Sequence, residues 1–352
     1  MGRLKGPMLS LLWVAMLAGA AVYLVDPGGP PEPPAGWKVW RDIGGIRALA
    51  PFGDGVYAGG LVGLFRLDDN GGAALVEIPG QESNLLVNAL LDDGSGRLWV
   101  AHAGGLSVLE GKRWRSFTME EGLPGVFATG LCREPGGAVW ASFYGGLARL
   151  PAGWNGDPSA VRRFTSRDGL PHDKVQVVAL DQAGNVWAGS YAAPMGGVAR
   201  FDGSRWQVWN GRDGLPHPNV TSILAVSARE VWVGFGYFQE GGAARFGSDG
   251  GEWRLAETVP AALLAGPKVR SLFRDDAGRL WLGHEYDGIT VLEDGAAVRR
   301  LTMDDGLPAR EVMTMRRERS GGMWLGTLGG VVRIGPEAVE RLFADDVTGS
   351  SP

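Results

Sequence analysis

The sequence predicts an all-β chain, a seven-bladed β-propeller of four-stranded antiparallel blades preceded by an N-terminal hydrophobic helix. Three observations carry that reading: an excess of glycine and tryptophan, a seven-fold repeat, and one uncharged apolar run near the N-terminus. The 352 residues include 58 glycines and 14 tryptophans without a Gly-X-Y period. Glycine reaches positive φ in tight turns and tryptophan supplies large buried area, so this balance suits many short strands.

The apolar run spans 8–25, after Arg3 and Lys5. Basic residues before such a run hold that end in the cytoplasm and send the rest of the chain across the membrane. Its 18 residues are just long enough to span a bilayer. The small residues Ala18-Gly19-Ala20 also suit a signal peptidase, so residues 1–25 read either as a cleaved signal peptide or as a signal-anchor helix. Residues 26–36, rich in proline and glycine, form an extended linker. The propeller is expected over 37–343, with a disordered tail over 344–352.

Each repeat contains a short strand B with an aromatic second residue: Tyr57, Trp99, Trp140, Trp187, Trp232, Trp281 and Trp324, at spacings of 41 to 49 residues. An apolar run, strand A, precedes each; near-continuous runs of this kind suit fully buried strands. In five repeats an acid stands six residues before the tryptophan and a glycine three before it (Asp93/Gly96 is one pair), which is hairpin chemistry. Strand C follows a short turn, and strand D leads into Glu/Asp-Gly-Leu-Pro at four places, ending at Pro124, Pro171, Pro216 and Pro308. Four strands per repeat of this length make a propeller blade, whose wedge shape calls for a bulky side chain between neighbouring sheets. Trp37-Lys38-Val39-Trp40 reads as the outer strand of blade seven, closing the ring. Residues 338–343 compete for that role, or form a short helix after Pro336.

VRSLFRDDAGRLWLGH from Val269, the DGLP at 305–308, and MWLGTLGGVVRI from Met323 together resemble the two-component-regulator propeller repeat, and the resemblance covers 37–343, most of the chain. The resemblance implies a periplasmic, sensor-like domain. It extends to streptogramin-lyase-like propellers, which keeps an enzymatic alternative in view.

Residue types that recur in every blade are architecture, so the B-strand aromatics and the C-strand arginines (Arg66, Arg149, Arg200, Arg245, Arg333) are expected to pack and pair locally. Residues that break the repeat are the site candidates. They fall in the B–C turns and D–A passages, which share one face of a four-stranded meander. They are Tyr144, Tyr191, Tyr237, Phe238, Glu240, His284, Glu285 and Tyr286 in the turns, with His172 and His217 in the passages. Tyrosine joins an apolar body to a polar tip, which suits recognition. A shallow aromatic and acidic recess near the axis is therefore expected, with blade capping as the plain alternative. The Trp154–Pro158 insertion on the opposite face is the second place to look.

The net charge of −5 gives no footprint for nucleic acid. The lone Cys132 excludes an internal disulfide and reads as a buried hydrophobe. No nucleophile elbow, phosphate loop or zinc motif appears in a fitting context. No catalytic residue, metal or cofactor is assigned, although Glu285 beside His284 has acid–base potential. The leading reading is a monomeric, periplasmic binding module that recognises a small molecule, saccharide or protein, tied to the membrane if the N-terminal helix is uncleaved. A lyase- or hydrolase-type enzyme acting at the same face, and a structural protein–protein scaffold, are the alternatives.

Overall fold

The computed structural model describes residues 32–344, apart from 69, 83, 84 and 319. The N-terminal helix expected over 1–25, most of the linker, and the tail after Ala344 lie outside the described residues. Among the described residues no helix is long and apolar enough to cross a membrane.

Seven four-stranded antiparallel sheets form the ring. Their innermost strands are β2 (Ile46–Phe52), β6 (Val87–Asp92), β10 (Ala128–Arg133), β14 (Val175–Leu180), β18 (Val220–Ala225), β22 (Val269–Arg274) and β26 (Val312–Arg317). Each packs against its neighbours around the axis. In blades one to six the next three strands follow outward in chain order. Blade seven continues through β27 (Met323–Thr327) and β28 (Gly330–Ile334) and takes its outer strand, β1 (Trp37–Trp40), from the other end of the chain. Trp37 pairs with Ile334 and Trp40 with Val331, so the N-terminal segment closes the ring. The competing segment lies within helix α1 (Pro336–Ala344), which buries Ala338 and Val339 and sets Phe343 edge-on to Trp281 at 5.8 Å.

The tryptophans occupy the places between sheets that the wedge argument requires. Trp99, Trp140, Trp187 and Trp281 are almost fully buried. The hairpin acids hold them in place: Asp93 accepts from Trp99 Nε1 at 3.0 Å, Glu134 from Trp140 at 2.6 Å, Asp181 from Trp187 at 3.1 Å and Asp275 from Trp281 at 3.0 Å. A buried indole N–H left unpaired would cost about 1–3 kcal/mol, which gives the repeated acid its physical reason. Four of the five C-strand arginines pair locally, Arg149 with Glu134 at 2.7 Å and Arg333 with Glu318 at 2.8 Å among them, whereas Arg200 lies over the Trp253 ring at 5.6 Å without an ion pair among the described residues. Cys132 is half-buried among the apolar side chains between blades three and four.

The Gly-Leu-Pro passages hold more structure than a strand stop. Thr118, Thr165, Asn210 and Thr302 cap single-turn 3-10 helices in capping boxes closed by Glu121, Asp168, Asp213 and Asp305. The following glycine ends each helix in the left-handed region, at φ 86° for Gly122 and 106° for Gly306.

One expectation needs correction. Strand A is not fully buried: in β6 only Val87 and Leu90 are, and the rest is half-buried. Each innermost strand has a ladder partner on one side only, so its other edge is left to the axis. Each also carries a register break between its first and third residues. The inserted residues are Arg47, Asn88, Thr129, Gln176, Thr221, Arg270 and Met313. A bulge re-aims a side chain and is favoured next to functional sites.

Candidate functional site: the axial mouth

One backbone hydrogen bond repeats in all seven blades. The residue at the end of strand B or the start of the B–C turn donates its N–H to the carbonyl just ahead of the inner strand: Leu61 to Gly45, Ala103 to Leu86, Tyr144 to Phe127, Tyr191 to Lys174, Gly236 to Asn219, Glu285 to Lys268 and Leu328 to Glu311, at 2.8–3.3 Å. This bond places the turn, the passage and the bulge residue of each blade together at one mouth of the channel. The backbone there is seven-fold, and the side chains are not.

Blades three to five supply aromatics. Phe127 stacks on Tyr144 at 4.8 Å, and Lys174 Nζ lies 4.7 Å from the Tyr144 ring and 5.4 Å from that of Tyr191. Tyr191 meets Tyr237 edge-on at 6.3 Å, and Tyr237 meets Phe238 at 4.3 Å. The predicted Tyr144, Tyr191, Tyr237 and Phe238 thus form one continuous arc. Its outer end is the long hairpin of β19 (Glu230–Tyr237) and β20 (Glu240–Asp249), where Tyr237 and Phe238 are 46% and 60% exposed. Phe238 turns that hairpin with φ 50°.

Blades six, seven and one supply charge. Lys268 Nζ lies 2.9 Å from Glu285, and Arg270 Nη2 lies 2.7 Å from both Glu285 and Glu311. Lys268, Glu285 and Glu311 are all buried. Burial pushes the Glu311 carboxyl above its usual range, against the pull of Arg270, and lowers the Lys268 ammonium. Arg47 reaches in from blade one, donating to Asn88 Oδ1 at 2.7 Å. Burial lowers its pKa first and Arg270 second, with Glu311, Tyr144 and Tyr191 also within electrostatic range. Groups from four other blades that influence one guanidinium must converge on the axis. The hydroxyls of Tyr144, Tyr191 and Tyr286 feel Arg270, but burial dominates and raises all three, so they remain protonated donors. Tyr144 donates to Gln176 at 2.8 Å.

The expected acidic character is therefore not what the mouth presents. Its two buried carboxylates, Glu285 and Glu311, are engaged by Lys268 and Arg270, and Arg47 and Lys174 add cations. Glu240 stands apart on the blade-five hairpin, exposed, 3.7 Å from His217 Nε2.

The histidines serve the blades. His284 is fully buried with Nε2 2.9 Å from Thr290, and His102 repeats this against Ser107 at 2.8 Å. Burial lowers both to about 4. In the passages, His172 and His217 use Nδ1 to accept the N–H two residues on, from Lys174 and Asn219, each at 2.9 Å. His284 and Glu285 diverge, one into its own blade and one to Lys268 and Arg270, so the structure does not bring them together as an acid–base pair. Among the described residues no cluster of three His, Cys, Asp or Glu side chains is placed to hold a metal.

Sequence reasoning missed Arg47, Lys174, Lys268, Arg270 and Glu311. The available signal was the polar second position of strand A and the residue just before that strand, which the apolar-run reading passed over. On the opposite face, Trp154 stacks over Trp99 at 6.4 Å and borders a cavity of about 350 Å³, lined also by Arg97, Glu110, Arg115 and Arg133.

No family model and no curated protein matches the sequence. Solved structures do share the fold. The extracellular domain of BT3049 from B. thetaiotaomicron, described as a hybrid two component system, gives a TM-score of 0.72 at 15% identity, covering 87% of this chain and 42% of that one. The extracellular domain of BT4673 from the same organism gives 0.65 at 16%, covering 84% and 39%. A streptogramin B lyase gives 0.63 at 12%, covering 84% and 96%. The chain spans about two fifths of the length of the first two. At these identities the likeness is one of fold: a seven-bladed propeller, found both in extracellular domains of two-component proteins and in a lyase.

Proposed function

We propose that this chain is an extracytoplasmic, sensor-like binding module without catalytic activity, and that it takes its ligand on the axial mouth. The observation that carries the proposal is the contrast at that mouth. Seven equivalent backbone positions are built alike, yet Tyr144, Tyr191, Tyr237 and Phe238 gather in three adjacent blades, with Lys174 between two of the rings, while Lys268, Arg270, Glu285, Glu311 and Arg47 come from blades six, seven and one, beside Tyr286. Blade capping needs no such segregation, because blades one and two close their turns with Leu61 and Ala103. The extracellular setting of the sensor-type structures that share the fold, and the basic residues ahead of the 8–25 apolar run, support the location.

Tyr237 and Tyr286 test the site. Replacing both with alanine in the full chain is expected to cost about 0.5 kcal/mol or less at the exposed Tyr237 and about 1 kcal/mol at the half-buried Tyr286, leaving the chain folded. The same variant is expected to bind about fivefold or more weakly to the saccharide that best raises the melting temperature of the parent. Unfolding would make these residues blade caps, and unchanged binding would move the site elsewhere.

A further inference from the structure

We infer that the axial mouth recognises an acidic saccharide: a sugar ring lying on the tyrosine arc, with its carboxylate or sulfate directed at Arg47 and Lys174. The inference rests on the binding-module reading above and adds the class of ligand.

The charge balance comes first. Lys268, Arg270 and Arg47 surround two buried carboxylates, Glu285 and Glu311, and Lys174 stands at the tyrosine rings; the other acids of these turns and passages, Asp173, Glu240 and Asp287, make no ion pair with any of the four cations. Glu285 is taken by Lys268 and Arg270, and Glu311 by Arg270. Arg47 and Lys174 have no ion pair among the described residues, so two cations stay unmatched in a chain whose net charge is −5. Arg47 is half-buried beside a second guanidinium, and its one hydrogen bond to Asn88 leaves most of its five N–H donors without a protein acceptor. A cation held in this way is costly unless an anion joins it, and a guanidinium fork fits the paired oxygens of an oxyanion.

The second half is shape. Lys174 is clamped between the rings of Tyr144 and Tyr191, which fixes its ammonium at the junction of the aromatic arc and the charged cluster. The arc then runs outward to Tyr237 and Phe238, whose rings are open to solvent. Flat aromatic faces next to protonated tyrosine hydroxyls suit the mixed apolar and hydroxylated faces of a sugar. Two cations without an ion pair, and no basic stripe, fit a small acidic ligand and not a nucleic acid.

The test is calorimetric titration of the full chain with trigalacturonate, a sulfated galactose trisaccharide and neutral galactotriose, at low and high salt. At least one acidic trisaccharide is expected to bind about tenfold or more tightly than the neutral one, less so at high salt, and which of the two does so identifies the oxyanion. Lys174→Met is expected to abolish that preference and Lys174→Arg to keep it. Arg47→Met repeats the test from the other side of the axis, with its melting curve as the control for folding. Equal binding of neutral and acidic sugars, weakened by Tyr237→Ala but not by Lys174→Met, would overturn the charge inference and leave the site in place. Acidic binding indifferent to both variants would overturn the site as well. Failure of both acidic trisaccharides to bind would overturn the ligand class.

Discussion

Closure of the ring by β1 can be tested at Trp40. This side chain is 2% exposed and tilts against Trp324 at 5.2 Å, in a strand whose four residues all pair with β28. A buried tryptophan removes about 200 Å² from water, which at about 25 cal/mol per Å² gives an upper bound near 5 kcal/mol. Trp40→Ala is therefore expected to cost about 3–5 kcal/mol. Trp40→Phe keeps the ring contact and removes a buried Nε1 that has no hydrogen-bond partner, so it should cost about 1 kcal/mol or less. Gly330 makes the seat for β1 specific. Its φ is 123°, and a Cβ there would lie 2.0 Å from the Trp40 carbonyl oxygen. Urea denaturation followed by tryptophan fluorescence measures both variants against the parent. A cost below about 1 kcal/mol for Trp40→Ala, or equal costs for the two variants, would refute β1 as the strand that holds the ring.

Two further predictions concern acid and topology. His102 and His284 are held near 4, below their ordinary 6.5, so the unfolded chain binds more protons between those values. Stability is then fully present above about 6.5 and falls as the pH drops toward 4, by about 2 kcal/mol per histidine at pH 5. Glu311, raised by burial, works in the opposite direction, so the drop should flatten in a His102→Gln/His284→Gln variant and leave the Glu311 contribution. A melting temperature unchanged between pH 7 and pH 5 in the parent would count against the buried neutral imidazoles. For topology, a periplasm-active reporter fused after Pro352 is expected to function in a bacterial host. Activity only from a cytoplasm-active reporter would reverse the proposed location.

Much of the fold was legible because a propeller repeats its architecture. The B-strand tryptophan, the acid six residues before it and the glycine of the hairpin recur at nearly constant spacing, and each does one local job: filling the wedge, satisfying the indole N–H and turning the chain. The closing strand was legible by likeness, since Trp37–Trp40 reads like Trp206–Trp209. Of the candidate site, the face and its aromatics were legible, because Tyr144, Tyr191, Tyr237 and Phe238 break the repeat in neighbouring blades. Their union into one arc, however, depends on Lys174, which stands between two of the rings and was passed over as an ordinary residue of a D–A passage.

The sequence by itself thus determined the blade count, the strands and the side of the ring that varies, because those depend on local period and turn chemistry. Only the tertiary structure decided the chemistry of the mouth. The bulge in each inner strand takes its second residue out of the ladder, and ring closure brings Arg47 of blade one within electrostatic range of Arg270 of blade six, more than two hundred residues apart. Whether an acid such as Glu285 is free or already paired depends on which cations of other strands arrive beside it. Lys268, Arg270 and Glu311 come from different passages and strands, so the sign of the recess was fixed by their meeting and not by any one segment.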